Sequence, residues 1–185
     1  MSEESLAGLA EDIRARRMSP VEAVERCLTR IRKSDGRLRA FIRLDEEGAL
    51  GAARSLEADA AAGRWRGPLH GVPLGFKDLC HLRGLPTSCG TRMPEYLVSA
   101  QVCSAARRLL DAGAISLGKL NMTELAMGAF GDNAHHGDVD NPWVARHAAG
   151  GSSSGSAAGV AAGFFEGAVG SDTGGSIRLP AGCCG

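Results

Sequence analysis

Leu6, Leu9 and Ile13 are spaced to share one face of a short helix. Ser19, Pro20 and Glu22 then form a capping box with proline at the first helical position. Behind it Val21, Val24, Leu28 and Ile31 repeat at helical spacing, which predicts an amphipathic helix ending near Ser34, Asp35 and Gly36. Residues 40–44 (AFIRL) read as a strand, and Asp45 can cap an alanine-rich helix running to about Ala62. Trp65 and the turn at Gly67-Pro68 lead into a strand over 72–76 that carries Lys77 at its end. A further helix is expected over 101–112, stopped by Gly113, with a buried strand over 114–117. Residues 128–149 show no periodicity and read as loop. From 150 to 182 two polar, glycine-rich loops, 150–155 and 172–176, flank an apolar helical segment over 156–164 and a short strand at Ala168-Val169-Gly170. Helices alternating with strands predict an α/β fold, a sheet covered on its faces.

Composition narrows the chemistry. Apolar residues make up 44% and charged residues 23%, which is globular rather than disordered. Lys plus Arg and Asp plus Glu both number 21, so bulk charge gives no support for a nucleic-acid or membrane surface. Cys27, Cys80, Cys89, Cys103, Cys183 and Cys184 match no C-x-x-C pattern and read as buried, reduced thiols. With no signal-peptide pattern at the start and no apolar run approaching a membrane span, a cytoplasmic location is expected. The five histidines lack metal-ligand spacing, and no metal is expected. GAISLGKL, residues 113–120, nearly matches a phosphate-binding loop, but Leu120 replaces the hydroxyl that would meet a metal ion and the loop residues are apolar strand formers.

The glycine-rich loops carry the candidate chemistry. In the second, Gly174-Gly175-Ser176 puts a hydroxyl beside a backbone free of Cβ atoms, where successive N–H groups can turn toward one point, as an oxyanion hole requires. A serine next to such a nest is a candidate nucleophile. Flexible linkers do not alternate with a segment such as AAGVAAGFF or carry Asp172, Arg178 and Pro180 at their end. Gly151-Ser152-Ser153-Ser154-Gly155 formally fits G-x-S-x-G, but residues 146–150 do not read as the strand a nucleophile elbow needs.

GGSSSGSA (150–157) and GSDTGGSIRLPA (170–181) resemble the two halves of the amidase signature, and Gly71-Val72-Pro73-Leu74-Gly75-Phe76-Lys77-Asp78 resembles the family's lysine segment. The separations agree: 75 residues from Lys77 to Ser152 and 24 from Ser152 to Ser176. Residues 121–127 (NMTELAM) are also similar. Ser154 and Ala149 depart from the glycine and proline common at those places.

The resemblance implies a mixed β-sheet flanked by helices on both faces. The chain would be the N-terminal portion of one amidase signature domain, apparently truncated, with its signature core over about 67–185. It implies an amidase that hydrolyses a small carboxylic amide to carboxylate and ammonia, without cofactor. Ser176 would be the nucleophile, Ser152, after a cis peptide bond, the proton relay and Lys77 the general base. The N–H groups of Thr173, Gly174, Gly175 and Ser176 would form the oxyanion hole, Met127 would line the acyl site, and Asp172 and Arg178 would brace the loop. Two alternatives stand beside a free-standing amidase, for which a homodimer is one expected assembly. One is the glutaminase-type A subunit of a tRNA-dependent amidotransferase, working with partner subunits. The other is a truncated, non-catalytic fragment. The A subunit usually carries glutamine where this chain has Leu179, and no direct nucleic-acid contact is expected.

Overall fold

The computed structural model describes residues 5–93 and 97–185. Helix α1, Leu6–Arg14, buries Leu9 and Ile13. Helix α2, Pro20–Leu38, opens on the expected capping box, in which Ser19 and Glu22 each satisfy the other's backbone N–H. It does not stop near Gly36. Leu38 is 1% exposed in the core beside Val24 and Ile31, and burying it is worth about 1.5–3 kcal/mol. That outweighs the roughly 1 kcal/mol a glycine costs inside a helix. The helix ends instead at Arg39, in the left-handed region at φ 57°. Asp35 then reaches past the helix end to accept the N–H of Ala40 at 2.7 Å.

Strand β1, Phe41–Leu44, leads through the cap at Asp45 into α3, Glu46–Ala61. Strand β2, Pro73–Lys77, is buried throughout. Helix α4, Ser104–Asp111, begins three residues later than the pattern suggested, and β5, Ile115–Leu120, runs three residues further. Helix α5, Ser154–Ala161, starts inside the first glycine-rich loop and ends before Phe164. Strand β6 is Ala168–Val169. Sequence periodicity missed the two-residue strands β3, Pro86–Thr87, and β4, Leu97–Val98, which are too short to show a period. It also missed α6, Arg178–Cys184, where Pro180 sits in the first turn and so removes no helical hydrogen bond. The cysteines divide: Cys27, Cys80 and Cys184 are buried, Cys89 and Cys103 half-buried, and Cys183 exposed on α6, against the expectation of buried thiols throughout. No helix among the described residues is long and apolar enough to cross a membrane.

The main sheet is mixed, ordered β1-β5-β2-β6; β1 is antiparallel to β5, and β2 runs parallel to both β5 and β6. Its two faces pack different helices. Ile115 and Leu117 join α2, α3, Phe164 and Phe165, whereas Leu74 and Phe76 join Leu9, Ile13 and Ala106 of α4. The strand alternation of β2 produces this division, because Gly75, between Leu74 and Phe76, faces Leu120 and Phe165.

A buried ion pair fixes the exit from β2. Lys119, on β5, pairs with Asp78 at 3.0 Å, and neither side chain is more than 1% exposed. The Lys119 ammonium also donates to Pro86 O and Thr87 Oγ1, each at 3.1 Å. Asp78 accepts the N–H groups of Ser88 and Gly90 and the Ser88 hydroxyl. The lysine of GAISLGKL is thus a strut inside the strand. Lys119→Met is expected to cost about 3–5 kcal/mol by stranding the Asp78 charge, and Asp78→Asn with Lys119→Met less than the two single changes added. Urea unfolding of the four proteins tests this; simple additivity would show that the pair is not coupled.

Candidate active site

Parallel pairing brings the first groups together. Phe76 of β2 lies opposite Val169 of β6, so the chain leaves both strands at the same edge of the sheet, with Lys77 beside Ser171. The Lys77 ammonium nitrogen lies 2.9 Å from Ser171 Oγ and 2.7 Å from Ser152 Oγ. Lys77 and Ser152 are both 0% exposed. Burial pushes the Lys77 pKa down from 10.5 to about 8, while Cys80 and then Asp172 pull it partly back.

Ser152 arrives on the turn that opens α5. Its peptide bond to Gly151 is cis. Only glycine fits before it, since a Cβ at Gly151 would lie 2.7 Å from Thr123 Oγ1 and 2.8 Å from Gly128 O. The Ser152 carbonyl accepts the Thr123 N–H at 3.2 Å. Ser153 ties the two glycine-rich loops together. Its hydroxyl donates to Ser171 O and accepts the Ser171 N–H, both at 3.2 Å, and its N–H donates to Ser176 O at 3.1 Å.

The second loop is braced from within. Arg178 grips Asp172 with two N–H···O contacts of 3.0 Å, and the carboxylate also accepts the N–H groups of Gly175 (2.7 Å), Ile177 (3.1 Å) and Arg178 (3.2 Å). The guanidinium above all, then those N–H groups, holds the Asp172 carboxyl well below the usual carboxylate range, against the opposing effect of burial. Gly175 has φ +127°, which an L side chain rarely adopts. Of the four expected oxyanion donors, Gly175 is therefore committed to Asp172. No hydrogen bond among the described residues uses the N–H of Thr173, Gly174 or Ser176.

These parts surround one open cavity of about 650 Å³. Ser152, Ser171, Thr173, Gly174, Gly175 and Ser176 line one side; Ala126, Met127, Gly128, Ala129 and Leu179 make an apolar wall. Lys77 sits beneath Ser152. Met127 is 83% exposed at the cavity, on the turn after the short helix Glu124–Ala126, where Leu125 and Ala126 take positive φ. Ser152 and Ser176 thus share the cavity, but no hydrogen bond among the described residues reaches the Ser176 hydroxyl. Three features escaped sequence reading: Ser171, Ser153 and the Asp78–Lys119 pair. The parallel register of β2 and β6 would have pointed to Ser171, because it places the residues just past both strands side by side. No group of three or more metal-ligating side chains occurs among the described residues.

The family profile described as Amidase matches residues 22–185. The glutamyl-tRNA(Gln) amidotransferase of Azoarcus sp. (strain BH72) has an A subunit that is 47% identical over 177 residues, covering 96% of this chain and 36% of that protein. The crystal structure of an amidase superposes with a TM-score of 0.92 at 41% identity, covering 98% of this chain and 41% of the other. The peptide amidase of Stenotrophomonas maltophilia superposes with a TM-score of 0.90 at 36% identity, covering 97% and 38%. The chain therefore spans about two fifths or less of the length of these relatives.

Proposed function

The chain belongs to the amidase family, and from that premise we propose that residues 1–185 form the N-terminal portion of one amidohydrolase domain that cleaves small carboxylic amides through a serine acyl-enzyme. The carrying observation is the contact of 2.7 Å between buried Lys77 and buried Ser152, beneath a cavity that Ser176 lines. A lysine whose pKa falls to about 8 offers a neutral amine at working pH, and Ser152 stands between that amine and the cavity.

In this reading Ser176 Oγ attacks the carbonyl carbon and its proton passes to Ser152, whose own proton passes to Lys77. The N–H groups of Thr173, Gly174 and Ser176 receive the oxyanion as the tetrahedral intermediate forms. Gly175 shapes that nest while its N–H stays on Asp172. The proton held by Lys77 returns through Ser152 to the leaving nitrogen, ammonia departs, and water hydrolyses the acyl-enzyme. Lys77 also donates one N–H to Ser171, so its lone pair can be aimed at Ser152. The route needs no metal or other cofactor.

A second reading has specific support. At 47% identity to the A subunit of an amidotransferase, the chain fits a glutaminase that works with partner subunits. The apolar wall of Met127, Ala129 and Leu179 favours the free-standing reading, because leucine lines the cavity where the A subunit usually carries glutamine. Ammonia release from small aliphatic and aromatic amides and from glutamine separates the two. Release from simple amides without any partner is the expected result; glutaminase alone, appearing only with partner subunits, would reverse the preference. Labelling of Ser176 with no ammonia from any amide would favour the third reading, a fragment that carries the reactive groups but does not turn over.

A further inference from the structure

The turn that brings Met127 to the cavity is held mainly by hydrogen bonds, not by packing. No residue of the short helix Glu124–Ala126 is buried, and Leu125 is 60% exposed. Leu125 and Ala126 both take positive φ, 51° and 61°. L side chains leave that region unless their surroundings hold them in it. The backbone supplies part of the hold. The Leu125 N–H donates to Cys89 O at 2.8 Å, and the N–H groups of Ala126 and Met127 close back on Thr123 O and Glu124 O, each at 3.0 Å. One side chain adds to it: Glu124 Oε1 lies 3.0 Å from His135 Nε2. A carboxylate only accepts, so the imidazole donates. Among the described residues, no other side-chain hydrogen bond reaches residues 124–127.

His135 is a firm anchor for that contact. The Asn133 side chain, which is buried, accepts the N–H groups of His135 and His136 at 2.9 Å each. It donates in turn to Gly90 O at 2.9 Å and Met122 O at 2.7 Å. His136 Nε2 donates to Thr91 O at 3.0 Å. The segment bearing His135 is thus fastened to Gly90, Thr91 and Met122, and it passes that fixity to the turn through Glu124. From this arrangement we infer that His135 is a positioning residue for the apolar wall: by holding Glu124 it fixes where Met127 stands, and so how well the cavity takes a long apolar acyl group. The inference rests on the proposed acyl-enzyme at Ser176. Its effect is selective, because neither His135 nor Glu124 lines the cavity or bonds to Lys77, Ser152 or Ser176. A short acyl group stays beside Ser176; a long one runs over Met127. The paired side chains are partly exposed, 35% and 45%, and a pair of that kind shifts an equilibrium by at most about fivefold.

The test is acylation of the chain by p-nitrophenyl octanoate and p-nitrophenyl acetate. In each reaction Ser176 Oγ bonds to the acyl carbon and the bond from that carbon to the leaving oxygen breaks. Nitrophenolate departs with the electron pair, and the serine proton passes through Ser152 to Lys77. The burst of nitrophenolate gives an apparent dissociation constant and a limiting acylation rate for each ester, and the acyl group is mapped within tryptic peptide 147–178. His135→Ala and Glu124→Ala should each raise the octanoate constant about two- to fivefold, and together no more than either alone. The acetate constant and both limiting rates should stay at wild-type values, as should the urea midpoint of these surface variants within error. His135→Gln, which keeps an N–H donor, should recover much of the octanoate preference. With Ser176 acylated in the wild type, an unchanged octanoate-to-acetate ratio in His135→Ala overturns the inference alone. So does additivity of the two substitutions, or an equal loss for both esters. A wild type that carries no acyl group on Ser176 overturns the proposed function, and the inference with it.

Discussion

Ser176→Ala is expected to abolish labelling by a serine-directed fluorophosphonate and to lower any amide turnover by at least about ten-thousand-fold. The reagent reacts only with a hydroxyl that has a proton acceptor behind it and N–H donors in front. Ser152 Oγ is 0% exposed and held by Lys77, and Ser153 Oγ is held by Ser171, so neither presents an uncommitted oxygen to the cavity. Ser176 lies beside the unused N–H groups of the braced loop, and its own hydroxyl is unengaged. The adduct should therefore map to tryptic peptide 147–178 and to Ser176 within it. Ser152→Ala should slow labelling by roughly a hundredfold to ten-thousandfold without moving the adduct, the range seen when a proton route is removed. Stability should change little in Ser176→Ala, since the described contacts of Ser176 are made by its backbone carbonyl. Equal labelling of wild type and Ser176→Ala would sink the nucleophile assignment.

The elements that bury a periodic face were the ones legible in the sequence. The capping box at Ser19 and Glu22 and the Asp45 cap formed as read, because local hydrogen bonds fix them without help from the rest of the chain. The far end of α2 was misplaced because a distant contact, Leu38 against the sheet core, decided it against the local cost of Gly36. The same asymmetry holds at the candidate site. Lys77, Ser152 and Ser176 carry motif spacing and could be named from the sequence; Ser171 could not, because its role depends on β6 lying parallel to β2. Lys119 is instructive in the opposite sense. Its sequence context imitates a phosphate loop, yet six strand residues and a buried partner, Asp78, make it a structural cation. The division of oxyanion donors was also out of reach, since spacing alone cannot say that Asp172 takes the Gly175 N–H.

The rate of fluorophosphonate labelling is expected to fall about tenfold per pH unit below pH 8 and to level off above it. Only neutral Lys77 can accept a proton, and burial sets its pKa at about 8. At pH 7 about one molecule in ten then carries the neutral amine, against about three in ten thousand for an ordinary lysine. Lys77→Met removes the acceptor and should lose nearly all labelling at every pH. The stability effect runs the other way. Because the folded pKa lies below the unfolded one, the unfolded chain binds more protons between pH 8 and about 10.5, so this group's contribution to stability rises with pH across that window. Below pH 8 the folded protein carries the full cost of a buried ammonium, of order 3 kcal/mol at most. Lys77→Met at pH 7 should therefore unfold at a urea concentration equal to or above that of wild type while failing to label. At pH 10.5 that advantage should have shrunk, as the wild-type lysine sheds its proton on folding. A labelling rate that is flat from pH 6 to pH 9, or a Lys77→Met protein that labels normally, would remove Lys77 as the base. A variant that merely unfolds would be exposed by the urea measurement, which keeps the loss of chemistry distinct from the loss of structure.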